Sequence, residues 1–379
     1  MFHRRLWLVL VNALVVTTLP LAETAASANA PAASVQATAA GTHAQGIADS
    51  GETTFASPLW PGLNVIRGRV IVPYDVALRP VTDTRRQKFE AWLTNAQNAG
   101  VTRNVGLARI PEPERPGYGR APDETTYRNA FAAFVAAYGP RVDAIGPWNE
   151  PNFNPGDGSR LLLPGGQYYL DDPDGACDGV NPLVANCGPR MAAYYYRWAA
   201  VDCPSCLLAA GEFAGTQSSN FIQKYKRHLG THRPSLWSVH NYADVIRYQV
   251  SGEHTPAELN NFLDELYCTG SHHCVPGTDW SSGNLWIGAT GAYYQLDCRT
   301  HDVTCDPGTN VHVLGETSQC QAAAFINRFS NVSAKITRIY FYTFADGRSG
   351  DNTGIVNANG TVPRKAYYAV RDRAESCTY

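Results

Sequence analysis

The sequence predicts an α/β protein of the (β/α)₈ barrel class, folded as one domain, and three features predict it. Eight short segments rich in β-branched and aromatic residues alternate with amphipathic ones, the order a barrel of parallel strands and covering helices requires. Several of the short segments are apolar on both faces, as strands buried between a barrel core and a helix layer must be. None is followed by the Gly-x-Gly-x-x-Gly turn that often opens a doubly wound sheet.

The strand-like segments are His43–Asp49, Ile66–Pro73, Val101–Ala108, Val142–Trp148, Leu207–Glu212, Leu236–Tyr242, Leu285–Thr290 and Arg338–Phe344. Between them lie the amphipathic stretches Asp83–Asn98, Glu124–Tyr138, Ala192–Val201, Phe221–His228, Pro256–Tyr267 and Ser318–Ser330. About 330 residues exceed the typical barrel of about 250, a size reached once loops are inserted. The longest loop follows the fourth strand, from Asn152 to about Arg190, and stands where it would wall a cleft at the C-terminal end of the strands.

Residues 1–30 read as a secretory signal: Arg4 and Arg5, an apolar run from Leu6 to Leu21, and a small-residue cleavage site at Ala28-Asn-Ala30. Residues 31–42 are Ala-, Ser- and Thr-rich and read as a flexible leader, which leaves 43–379 for the barrel. The chain is therefore expected to be secreted, with no membrane anchor after cleavage. A formal net charge of −2 gives no electrostatic footprint for nucleic acid or an anionic membrane. Charged residues are only 17% of the chain while tyrosines number 20, a balance suited to a neutral polyhydroxylated ligand and equally to a large aromatic core.

All ten cysteines lie between Cys177 and Cys377, and an even count behind an export signal implies disulfides. Neighbours in sequence suggest Cys177–Cys187, Cys203–Cys206, Cys268–Cys274 and Cys298–Cys305, with Cys320 tying the tail through Cys377. Cys203-Pro-Ser-Cys206 reads as a structural bridge rather than a redox pair. His272 and His273 beside Cys274 lack the repeating spacing of a zinc site. No motif for a metal, nucleotide or other cofactor is present, so none is expected.

The fourth strand ends Ile145-Gly-Pro-Trp-Asn-Glu-Pro-Asn152, which puts the Glu150 carboxylate at a strand tip facing the barrel mouth. Trp148-Asn149-Glu150-Pro151 resembles the acid/base motif of the clan A glycoside hydrolases, retaining enzymes built on this barrel. The resemblance implies that Glu150 is the acid/base, that Asn149 hydrogen-bonds the substrate's 2-hydroxyl, and that Trp148 belongs to the sugar site. His240-Asn-Tyr242 on the sixth strand is similar to the clan's His and Tyr pair, the Tyr there orienting the nucleophile. Arg69 on the second strand stands where the clan has an arginine bonded to the nucleophile, with Arg67 a competitor for the role. An arginine inside an apolar strand needs a partner in any case.

The seventh strand departs from the pattern. It reads Leu285-Trp-Ile-Gly-Ala-Thr-Gly-Ala-Tyr293, where related chains resemble Leu-Trp-Ile-Thr-Glu-Thr-Gly with the Glu as nucleophile, so Ala289 occupies the nucleophile's place. The clan's strand-eight tryptophan is represented by Phe344, and no histidine follows the third strand. Three explanations stand open. Another carboxylate substitutes, with Glu316 the leading candidate and Glu212 and Asp297 behind it; Glu316 is also an ordinary acidic start to a helix. Alternatively the chain is a carbohydrate-binding pseudo-enzyme, or Ala289 is an artificial exchange that traps substrate. The expected partner is a carbohydrate, a β-linked glycoside or polysaccharide.

Overall fold

The computed structural model describes residues 43–379 except 109–121, 153–187, 216–220, 270–273, 275–277, 279, 281, 300, 302 and 348–350. The expected signal and leader, most of the loop after the fourth strand, the expected Cys177–Cys187 pair, and His272 with His273 lie outside the described residues.

Eight parallel strands form one sheet: β1 (Ala44–Ala48), β2 (Arg67–Pro73), β3 (Thr102–Ala108), β4 (Ala144–Gly146), β5 (Ala210–Ala214), β6 (Leu236–His240), β7 (Asn284–Thr290) and β10 (Ile336–Phe341). Their order is β4-β3-β2-β1-β10-β7-β6-β5. The two ends meet, because Ile145 donates its N–H to the Leu207 carbonyl and accepts from the Ala209 N–H, each at 2.9 Å. That contact closes the sheet into a (β/α)₈ barrel. An antiparallel hairpin, β8 (Gln295–Asp297) with β9 (Val311–Val313), fills the loop after β7.

The expected strands are all present, displaced by a few residues at their ends. Strand β4 is short because Pro147 cannot donate to a ladder. Strand β5 starts later and runs past Glu212, and its register with β6 shifts between Ala210 and Phe213. Beyond β4 the pairing persists one bond at a time: Asn149 donates to Leu107 O at 2.8 Å and Glu150 to Glu212 O at 2.9 Å.

The helices are α1 (Thr84–Asn98), α2 (Glu124–Tyr138), α3 (Gly188–Asp202), α4 (Phe221–His228), α5 (Ala243–Ser251), α6 (Ala257–Tyr267), α7 (Gly315–Asn327) and α8 (Lys365–Arg371). Helix α1 shows how sequence sets this layer. Phe89, Trp92, Leu93 and Ala96 recur at i, i+3, i+4 and i+7 and are the helix's buried stripe. The Asp83 carboxylate caps its first turn, accepting from the N–H groups of Arg85 and Arg86, a contribution of about 1 kcal/mol. The unexpected helices are α5, rich in β-branched residues, and the short α8. Among the described residues no helix is long and apolar enough to cross a membrane.

The barrel interior is packed by pairing small residues with large ones. Gly46 leaves room for the Tyr340 ring and Gly146 for the Glu212 carboxyl; a Cβ at either would collide with that neighbour. Trp286 and Tyr340 fill much of the lower barrel among Ala48, Ala144, Ala209 and Leu236.

Four of the five expected cysteine pairs are joined: Cys203–Cys206, Cys268–Cys274, Cys298–Cys305 and Cys320–Cys377. Only the last closes a long loop, with a sequence separation of 57. In the chain-entropy account such a loop stabilises by about 4 kcal/mol. We expect Cys320→Ala with Cys377→Ala to lower the unfolding free energy by roughly that amount, measured by urea titration. Cys203→Ala with Cys206→Ala, which opens a far smaller loop, should cost less.

Candidate active site in the barrel mouth

The site grows out of the C-terminal tips of β4, β5 and β6. After Gly146 the chain runs Pro-Trp-Asn-Glu, stitched by its backbone to β3 on one side and β5 on the other. This fixes Asn149 and Glu150 side by side in the mouth. Glu150 adopts a left-handed backbone, φ 48°, and so does Glu212 inside the neighbouring β5, φ 44°. A non-glycine residue there costs about 1–2 kcal/mol, so packing must hold both carboxylates in place.

Glu150 faces His240 on β6, with Oε1 2.5 Å from Nδ1. The Glu150 side chain retains 15% of its exposure, against 1% for His240, so a ligand can reach the acid while the imidazole stays behind it. A carboxyl and an imidazole in this contact are joined by one hydrogen bond, whose direction follows the His240 tautomer. Tyr242 lies beside His240, ring centres 6.5 Å apart, and meets Tyr342 edge to face at 6.1 Å. Burial pushes the Tyr242 phenol well above its ordinary pKa, with Tyr342 and the Glu150 charge adding to the shift. It stays a neutral hydroxyl at any working pH.

Beneath this layer sits a buried ion pair. Arg69, 1% exposed, reaches the Glu212 carboxylate through Nη2 at 3.1 Å and Nε at 3.3 Å. The same Nη2 donates to Asn149 Oδ1 at 2.8 Å. Since that oxygen is engaged, the Asn149 amide keeps its N–H₂ end as the donor for other groups. Arg69 rather than Arg67 is therefore the arginine of the site.

Ala289 faces the same interior. A register shift between β6 and β7 sets it opposite His240, and it packs with Tyr242 and Tyr342 in the barrel core. Its methyl group offers neither charge nor hydrogen bond.

The remaining candidates fall elsewhere. Trp148 is 3% exposed and stacks on Tyr195 of α3 at 4.6 Å, so it wedges the strand against the helices. Phe344 packs on Trp60 at 5.7 Å, and its N–H is held by the half-buried Asp49 carboxylate at 2.9 Å. Tyr342, two residues earlier, is the strand-eight aromatic that faces the mouth. Glu316 is exposed in the first turn of α7. Asp297 is bound to Arg299, whose guanidinium and N–H hold its carboxyl down at about 2. Among the described residues, no three His, Cys, Asp or Glu side chains gather in a way that could hold a metal ion.

The Arg69–Glu212 pair generates a stability test. Removing one partner of a buried pair strands the other's charge, at a cost of about 3–5 kcal/mol. Glu212→Gln should lower the unfolding free energy by that much in urea titration, while Arg69→Met with Glu212→Leu should recover most of it. A loss below about 1 kcal/mol for the single variant would show that the pair does not carry the barrel floor.

No protein-family model matches the sequence, and no curated protein matches it significantly. Solved structures do resemble it in shape. A family 39 glycoside hydrolase from Bacteroides cellulosilyticus superposes with a TM-score of 0.53 at 16% identity, covering 87% of this chain and 63% of that one. This chain thus spans less than two thirds of that protein. A variant of the endocellulase from Pyrococcus horikoshii, in complex with cellotetraose, gives 0.53 at 13% identity, covering 87% and 92%. A family 10 glycoside hydrolase from Paenibacillus barcinonensis gives 0.51 at 12% identity, covering 89% and 96%. The chain has the (β/α)₈ barrel fold of these glycoside hydrolases.

Proposed function

We propose that the barrel mouth takes a neutral β-linked glycoside and that the protein is an exported glycoside hydrolase in which Glu150 protonates the glycosidic oxygen. The observation that carries this reading is the Glu150–His240 contact at a strand tip, with Glu150 still open to the mouth. The barrel shared with a family 39 glycoside hydrolase and with an endocellulase that binds cellotetraose supports it. Export is supported by the signal-like start and by four disulfides, which persist in oxidising compartments.

In this scheme the Glu150 proton passes to the leaving oxygen as the C–O bond breaks, and the Asn149 amide donates to a sugar hydroxyl. Cleavage also needs a nucleophile, or a base that takes a proton from attacking water, across the ring. Glu316, as placed, would have to approach from the exposed start of α7. Glu212 is sealed beneath Asn149 and engaged by Arg69. A second reading therefore has its own observation: Ala289 contributes only a methyl group, and Arg69 already has its charge matched. That arrangement suits a glycan-binding barrel with little turnover.

Hydrolysis of aryl β-glycosides and β-glucans by wild type, Glu150→Gln and Ala289→Glu separates the two. For a hydrolase we expect wild-type turnover that falls about 10²–10⁴-fold in Glu150→Gln. Activity in Ala289→Glu alone would establish the binding reading. Equal turnover by wild type and Glu150→Gln would remove Glu150 from the chemistry.

A further inference from the structure

The opposite, N-terminal end of the barrel carries a cluster that the sugar site does not use. Arg67 opens β2 and Arg338 lies near the start of β10, on either side of β1. Register sets Arg338 opposite Ala44 of β1 and, on the other flank, opposite Trp286 of β7. The Arg338 guanidinium lies 4.0 Å from the centre of the Trp286 ring, which orients it across the barrel floor. Arg67 and Tyr340 approach each other over Gly46, the one strand position between them without a side chain. A third cation, Arg373, comes in from the C-terminal segment, where its Nη1 donates to the His43 carbonyl at 3.0 Å.

Among the described residues no carboxylate balances these charges. The charged or titratable groups that act on Arg67 are Arg338, Arg373 and the Tyr340 phenol, with no carboxylate among them. Burial, and after it the Arg338 charge, draws the Arg67 pKa below its ordinary value. Arg67 Nε is buried and has no acceptor among the described residues. Asp143, Asp372 and Glu212 pair with Arg103, Arg371 and Arg69 instead. The Arg338 and Arg373 charges both act against the half-buried Arg67, and its donor without an acceptor adds a desolvation cost. An oxyanion supplied from solvent removes both costs, since the arginine fork matches phosphate and sulfate oxygens two at a time.

We propose that Arg67, Arg338 and Arg373 form a binding site for a tetrahedral oxyanion, phosphate or sulfate, at the N-terminal end of the barrel. The site lies at the far end of the strands from Glu150 and does not depend on the glycoside reading. Free inorganic phosphate and the phosphate of a monoester share this chemistry.

The test is thermal unfolding of the purified chain against inorganic phosphate, sulfate and glucose 6-phosphate, with sodium chloride holding the ionic strength constant. We expect saturable stabilisation by phosphate and sulfate of about 2–4 °C at several times Kd. Calorimetric titration should give a matching Kd, raised at least tenfold in Arg67→Gln and in Arg338→Gln. Arg373→Gln, at an exposed position, guards against variants that fail to fold and should raise Kd about threefold. Tighter binding of glucose 6-phosphate than of phosphate would identify a phosphorylated organic ligand, and the reverse the free ion. No saturable binding to wild type, or equal shifts in wild type and Arg373→Gln with chloride as effective as phosphate, would overturn the proposal.

Discussion

The Arg69 guanidinium is the group on which the centre of this barrel depends. It is a full charge held inside a parallel sheet, where desolvation would expel it unless acceptors surrounded it. Glu212 supplies the opposing charge and the Asn149 amide oxygen takes a further N–H. Gly146 and Gly106 are the necessary counterparts, since the Glu212 carboxyl occupies the volume their side chains would fill. One ion pair thus accounts for small residues on β3 and β4, for the carboxylate within β5, and for the orientation of an amide in the mouth.

That pairing also bears on the chemistry above it. In the pattern the sequence resembles, the strand-two arginine serves a carboxylate on strand seven. Here strand seven brings Ala289, and the arginine's charge is met from strand five. The Arg69 charge is matched without a carboxylate on strand seven, while Glu150 and His240 remain in contact at the opening. The Glu150–His240 contact is thereby separate from the Arg69–Glu212 pair, and Ala289 adds only a methyl group to the interior between them and Tyr242.

Much of this was legible along the chain. The eight apolar segments and their alternation with amphipathic stretches dictate the barrel, because each strand must bury both faces and each helix one. Arg69 was legible as a charge in an apolar strand in need of a partner, whereas Glu212 stood only as a candidate for the missing second carboxylate. What no single segment contained was that the two solve each other's problem, since their strands are separated by β3 and β4 in the barrel wall. The strand-eight aromatics show the limit of periodicity. Tyr340, Tyr342 and Phe344 alternate evenly, yet β10 ends at Phe341, and the Asp49 carboxylate holds the Phe344 backbone so that its ring turns to Trp60.

By itself, then, the sequence determined the barrel, the place of Glu150 at a strand tip, and the absence of a carboxylate at Ala289, because these follow from local pattern and residue identity. Tertiary structure decided that Trp148 supports the wall rather than the mouth, that Tyr342 and not Phe344 faces Tyr242, and that Glu212 neutralises Arg69. Those outcomes depend on distances between residues remote in sequence, which are fixed only when the sheet closes and its interior volume has to be filled.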